Sequence, residues 1–573
     1  MDKRTILAVV LSFLVFILFT YLGEKYGSKE TPKTPAPQTA ESTKPAAPAP
    51  VQPATEPSPA LKEPGVKPQE PPRPPSARPS RPAREVVVET ELYRAVFTEQ
   101  GASLVSFQLK KYLQRLPFEI ISKFGLGPVS VEIERFRDPN NSAAKPKELV
   151  TAAAKQVRPL SLFWEARQHA VPPDLFYEAG APALTVKGED SGTLTFKGTT
   201  PEGLEVTKTY RFQGQSYAFE LKATVANRTA QNLDGQLNLA LTGTSAGGPQ
   251  ESRTLAVFAA KSLEEFQAGK LEEPKVFADK VAWVGLNELY FLTAAVPVGA
   301  PQVQATLLET QPNQLKAILG VPDRLPAGQE VQASYAFYFG PKDINDLRAA
   351  NLGLDMVVNF GWFDWLARPF LYLIKWINGF IHNYGWTLVI LTILLRLVFW
   401  YPNHKSFQSM KVMQKIQPRV AEIREKHKDD KEAMNRELMN LYRTFKVNPL
   451  GGCLPMLLQL PVFIALYNLL SYSIELRHAT FIPTLPFTNI VWLADLSAKD
   501  PLLITPIIMG LSMFLQQKMS PSPGDPTQAK MMMFLPLIFT FLFLNFAAGL
   551  VIYWLVNNIL AIIQQYFTNK YMQ

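Results

Sequence analysis

Leu391–Trp400 reads LTILLRLVFW, nine residues that lipid tolerates and one, Arg396, that it does not. An arginine at the centre of a membrane helix costs about 2.5–3.5 kcal/mol on insertion scales. The stretch therefore predicts a membrane helix whose cation has a use. The 573 residues, 47% of them hydrophobic, allow more than one domain. A net charge of +9 fits nucleic acid, anionic lipid or plain solubility alike. Cys453 is the single cysteine, so no intrachain disulfide framework exists. The histidines are scattered without metal spacing, and no Gly-rich phosphate loop, nucleophile elbow or HExxH motif is present. No enzyme, metal or cofactor is expected.

Upstream of this stretch the chain changes character three times. Lys3 and Arg4 precede an apolar run from Ile6 to Leu22 with no clear cleavage site. Residues 1–27 read as an uncleaved anchor with a cytoplasmic N-terminus. Residues 28–84, densest at PPRPPSARPSRPAR, read as a disordered Pro-rich tether. From residue 85 to about 350, segments such as LEVTKTYRFQGQSYAFELKATVANRT alternate with period two. They predict an antiparallel β-sandwich whose ligand is not legible. In GWFDWLARPFLYLIKWINGFIH, Asp364, Arg368, Lys375, Asn378 and His382 fall within an arc of roughly 80° at helical spacing. Residues 351–383 thus read as an amphipathic helix at the membrane interface, or as an aromatic belt flanking the next span.

The last region, residues 384–573, contains five apolar stretches: Tyr384–Tyr401, Leu450–Tyr472, Pro501–Lys518, Met531–Phe546 and Gly549–Phe567. With the anchor these make six transmembrane helices. Between Asn403 and Pro449 there are 11 Lys/Arg against 6 Asp/Glu, which puts this loop and the C-terminus inside and the β-domain outside. Within the loop, Met410, Met413, Val420 and Ile423, then HKDD, then Met434, Leu438, Leu441 and Phe445 predict a cytoplasmic helical hairpin over 404–446. Its basic faces are solvated, or meet anionic lipid or ribosomal RNA.

Arg396 has polar company. Thr392 lies one turn before it, and Gln459 sits in the third span. Thr505, Ser512 and Gln516 line up in the fourth span; Tyr553, Asn557 and Gln564 do so in the last, with Trp554 and Asn558 beside them. Singly, such residues bond helix to helix. Together they suggest a water-containing groove. Nine residues separate Arg396 from Lys405, about 13 Å along a straight helix, which places it in the cytoplasmic half. No acidic residue inside the spans is there to pair with it. Twelve of the 14 Met follow Arg396, among them Met509, Met513, Met519 and Met531–Met533, and they offer an adaptable apolar surface.

FKVNPLGGCLPMLLQLPVFIALYNLL, DPLLITPIIMGLSMFLQQKMSP and MMMFLPLIFTFLFLNFAAGLVIYWLVNN closely resemble the YidC membrane protein insertase family of Gram-negative bacteria. The resemblance covers the whole chain. It implies an ATP-independent insertase and chaperone of the inner membrane that acts on nascent membrane proteins, alone or with the Sec translocon. It also implies a hydrophilic groove open to cytoplasm and lipid, with Arg396, Thr392, Gln516 and Trp554 carried over by motif. Tyr553, Asn557, Ser512 and Thr505 join them on spacing, and Gln459 as the polar group of the third span. The chain ends at FTNKYMQ, without a long basic tail for ribosome docking, and no DNA partner is expected. The competing readings are a small-molecule or lipid transporter using the same groove, and a glycan-binding envelope structural protein. Transporters commonly carry inverted repeats, and none is visible here.

Overall fold

The computed structural model describes residues 81–571 except 115, 117, 127–128, 137–144, 152–156, 167–168, 246–251, 301, 446–453, 489 and 520–525. The expected anchor, nearly all of the expected tether, and Cys453 lie outside the described residues.

Strand Leu204–Gln213 shows how the β-region is built. It buries Leu204, Val206, Lys208, Tyr210 and Phe212 and turns the residues between them outward, the period-two rule of a one-sided sheet. It lies between Ser191–Thr199 and Ala218–Asn227 in a nine-stranded sheet. A five-stranded sheet containing Tyr93–Thr98 and Ser103–Leu113 packs against it, with ring centroids 4.8 Å apart for Phe97 and Tyr210 and 5.2 Å for Phe107 and Phe339. A second five-stranded sheet is centred on Leu233–Thr244 and Gln314–Leu325. One correction applies to the antiparallel expectation: Glu85–Glu89 pairs in parallel with Ala183–Thr185, which the chain reaches only after a long crossover.

Lys208 breaks the apolar pattern. It is fully buried, and its Nζ donates to the carbonyls of Gly101, Ala102 and Leu160 at 3.0, 2.8 and 2.6 Å. Three ammonium protons thus meet three acceptors, which offsets the desolvation that drives its pKa well below the ordinary lysine value.

Helix α1 (Ile344–Ala349) leads out of the sandwich into α2 (Asp364–Ile381), α3 (Tyr384–Val398), α4 (Trp400–Lys426), α5 (Lys431–Thr444), α6 (Leu454–Tyr472), α7 (Ile504–Met519), α8 (Pro526–Phe543) and α9 (Ala548–Tyr571). The turn between α2 and α3 follows from two residues. His382 takes a left-handed φ of 55°, and Asn383 caps α3 by accepting from the Trp386 amide.

The run read as continuous to Tyr401 stops at Val398 and resumes at Trp400, bent by 59°. Pro402 is the reason, since it lacks the N–H that would bond Val398 and its ring clashes with that carbonyl. Lys405 therefore does not lie on the axis of Arg396, and the straight-helix distance between them does not hold. Among the described residues, Ala548–Thr568 alone is long and apolar enough to cross a membrane unaided, and the bent α3–α4 pair would make a second crossing.

In the α4–α5 hairpin, Ile416, Val420 and Leu438 are buried, with Met413, Ile423, Met434 and Leu441 packed around them. On α2 the polar residues are half-buried and paired. Arg368 pairs with Asp364 at 2.6 Å, and Lys375 bridges Asp343 and Glu475 at 2.9 and 3.2 Å. The exposed face is aromatic instead: Trp365, Tyr372, Trp376 and Phe380.

The β-region joins the helices through several contacts. Tyr290 donates to the Ser471 carbonyl, and Arg477 donates to the carbonyls of Leu113 and Gln114 while stacking 5.0 Å from the Phe291 ring. Strand Val491–Leu493, from the α6–α7 connection, pairs Val491 with Phe136 of the β-region.

Candidate functional site

Four helices converge on a pocket beside Arg396. Helix α3 supplies Thr392, Leu395 and Arg396, the break supplies Phe399, and the first turn of α4 supplies Asn403. Gln459 and Val462 come from α6, Tyr553 and Asn557 from α9. The cavity is small, about 10 Å3, room for about one water.

The pocket's electrostatics are simple. Its lining holds one cation, several neutral polar groups and no carboxylate. The Nε of Arg396 is buried and finds no hydrogen-bond partner among the described residues. Thr392 spends its proton on the Leu388 carbonyl at 2.6 Å, so the hydroxyl offers the pocket an acceptor. A guanidinium keeps five donors and no acceptor, so a carboxylate or water is the partner it lacks.

The structure brings some of the sequence-predicted residues together and places the others elsewhere. Thr392, Arg396, Gln459, Tyr553 and Asn557 share the pocket. Ser512 does not line it; its hydroxyl donates to the Met509 carbonyl and accepts from Asn558 at 3.2 Å, tying α7 to α9. Thr505 sits at the start of α7, where its amide and hydroxyl both donate to the buried Asp500 carboxylate at 2.6 and 2.7 Å. Gln516 is half-buried near the other end of α7, outside the pocket lining. Trp554 belongs to an aromatic cluster, 4.9 Å from Phe463, 6.0 Å from Phe539 and 5.4 Å from Phe543. Gln564 donates to the Trp400 carbonyl at 3.3 Å, a helix-to-helix bond.

Asn403 is the polar lining residue that sequence reasoning missed. It lies beyond the 59° bend, in the segment read as loop, so helical spacing from Arg396 does not reach it. The methionines divide as well: Met509 is buried in the core, while Met533 stands exposed with Phe534, Leu537, Ile538, Phe541 and Leu542 along α8.

Comparison with known proteins gives two family models that together span most of the chain. The model of the 60Kd inner membrane protein matches residues 376–573, and that of the YidC periplasmic domain matches residues 120–373. The membrane protein insertase YidC of Syntrophus aciditrophicus is 39% identical over 577 residues, covering all of both chains. That of Citrifermentans bemidjiense is 40% identical over 577 residues, covering all of this chain and 99% of its own. Among solved structures, that of an active YidC insertase with its first transmembrane domain resolved is similar at 15% identity and a TM-score of 0.35, over 85% of this chain and 93% of that one.

Proposed function

The chain belongs to the YidC family of membrane protein insertases, and from that premise we propose that the Arg396 pocket is where a substrate's polar segment enters. As an insertase of the inner membrane it acts on nascent membrane proteins, and its β-region is the periplasmic domain. The observation that carries the pocket assignment is the buried, unpartnered Nε of Arg396 among neutral polar neighbours. An acidic or polar substrate terminus supplies the missing acceptor and is drawn in from the cytoplasmic side. Thr392, Gln459, Tyr553, Asn557 and Asn403 keep that path hydrated, which shortens the hydrocarbon the polar segment must cross. The apolar segment meanwhile leaves along α6 and the exposed face of α8, where Met533, Phe534 and Leu537 present an adaptable surface.

The rest of the architecture fits around this reading. The N-terminal anchor and the five apolar stretches beyond residue 383 make six crossings, with both termini and the basic α4–α5 hairpin in the cytoplasm. Helix α2 lies at the periplasmic interface with its aromatic stripe toward lipid. The hairpin meets anionic phospholipid headgroups and guides substrate, the Sec translocon is the partner for longer substrates, and the ribosome is a further partner.

A photo-crosslinking residue at Asn557 or Gln459, in membranes carrying a stalled acidic-tailed nascent chain, tests the entry path. Adducts to the tail are expected at both positions, with adducts to the apolar segment at Ile538 on α8. Tail adducts at Ile538 with none at Asn557 or Gln459 would overturn the assignment.

A further inference from the structure

Ala479–Ala494, in the connection between α6 and α7, reads ATFIPTLPFTNIVWLA, sixteen residues without a charge. Its two strands, Ile482–Thr484 and Val491–Leu493, form a hairpin, and the pairing of Val491 with Phe136 puts it on the same side as the periplasmic domain. Within this stretch Trp492, Leu493 and Ala494 are buried, and the exposed residues Pro483, Thr484, Pro486, Phe487 and Thr488 are all uncharged. The composition suits a surface that is half apolar.

The tip is held in shape by its own bonds. The Leu485 amide donates to the Ile490 carbonyl at 2.9 Å, the Thr488 amide to the Leu485 carbonyl at 3.0 Å, and the Ile490 amide to the Thr488 hydroxyl at 3.3 Å. Phe487 occupies this tip at a φ of 64° and is 107% exposed. That left-handed backbone favours Gly or Asn and disfavours a bulky side chain. If the turn alone mattered, Phe would be the wrong residue. Its presence in a closed tip that points it outward says that the ring itself is used.

The root of the hairpin fixes its height. Phe481 meets the half-exposed Trp386 edge to face at 5.6 Å, and its carbonyl accepts from Asn383 at 3.0 Å. Both partners stand at the start of α3, where that helix leaves the bilayer on the periplasmic side. Gly385 permits the approach, since any side chain there would overlap the Phe481 ring. The hairpin therefore springs from the level of the outer-leaflet headgroups, the level at which α2 turns its aromatic stripe outward.

We propose that this hairpin is a second interfacial anchor, with Phe487 inserted into the outer leaflet of the inner membrane. The partner is a lipid surface rather than a protein. An uncharged rim offers a protein partner no complementary ion pairs, whereas lipid accepts an isolated ring at any register. Together with α2 the hairpin holds the periplasmic side of the helical core at a fixed depth while the cytoplasmic side works on substrate. The inference rests on the membrane placement of the helices and is independent of the Arg396 pocket.

The test uses the full chain carrying Cys453→Ser and Thr488→Cys, labelled with an environment-sensitive fluorophore and reconstituted into phosphatidylethanolamine–phosphatidylglycerol vesicles. Phe487 stays in place, so the label reports its surroundings. A second sample adds Phe487→Asp, and a third carries the label at Ile538→Cys on the exposed face of α8. We expect lipid-borne quenchers to dim the label at position 488 in the first sample and the effect to be lost in the second, where aqueous iodide quenches instead. Iodide quenching at position 488 in the first sample, with lipid quenching at position 538, would overturn the anchor and leave the membrane placement standing. Lipid quenching that survives Phe487→Asp would refute the role of the ring. Loss of lipid quenching at position 538 would remove the placement and the anchor with it.

Discussion

Replacing Arg396 with alanine separates two effects of opposite sign. A substrate carboxylate about 5 Å from the guanidinium, at an effective dielectric of about 20, gains about 3 kcal/mol. That corresponds to about 100-fold in occupancy of the entry state, an upper bound because water at the pocket mouth screens the pair. Against this, the alanine variant escapes the roughly 2.5–3.5 kcal/mol cost of holding a cation at membrane depth. Activity should therefore fall while thermal stability holds or rises, a combination that misfolding cannot produce. Arg396→Lys should keep much of the activity, because a cation in a wet pocket can still meet the carboxylate. Arg396→Glu should fail through repulsion. The assay is protease protection of single-span substrates with tails of increasing acidity, inserted into proteoliposomes holding each variant at equal protein level. The deficit of Arg396→Ala should grow with tail acidity. Wild-type insertion of acidic tails by Arg396→Ala across several substrates would refute the fixed-charge mechanism, and failure of Lys alongside Ala would replace it with a bidentate contact that needs the planar fork.

Deleting Lys411–Leu441 removes the apolar seam of the α4–α5 hairpin and should abolish insertion while the protease-resistant membrane core persists; normal insertion rates would make the hairpin dispensable. Deleting most of Glu85–Gly340 should leave insertion largely intact, because every residue of the Arg396 pocket lies beyond it; complete loss in a properly assembled variant would move function into the β-region. Lys208→Met takes the ammonium donor from the buried Gly101 and Leu160 carbonyls, while Ala102 keeps the Tyr210 hydroxyl, and at about 1–3 kcal/mol for each unsatisfied group it should lower the unfolding temperature of the periplasmic domain, read by thermal proteolysis of the full chain. An unchanged melting profile would mean that the carbonyls find water.

The classes of structure were legible in order along the chain because each rests on a local period. Alternation over Leu204–Gln213 needs no knowledge of what covers it, and neither does the seam of Val420, Ile423, Leu438 and Leu441 on either side of HKDD. Five apolar runs became five helices for the same reason. Arg396 announced itself through cost alone, since a charge among lipid-tolerated residues is anomalous whatever surrounds it.

Which polar residues stand with it was a different matter. Spacing on one helix says that Thr505 and Ser512 share a face, but not that Asp500 would claim the first and Asn558 the second. A polar group's partner is chosen across helices, by packing that one-dimensional periodicity does not contain. The same holds for Lys208, which alternation assigns to an apolar position and which only three distant carbonyls make tolerable. It holds too for Lys375, which reads as the wet face of an interfacial helix until Asp343 and Glu475 close on it. Pro402 lies between the two cases: its steric effect was written in the sequence, yet the consequence, Asn403 swung into the pocket beside Arg396, exists only where α4, α6 and α9 meet.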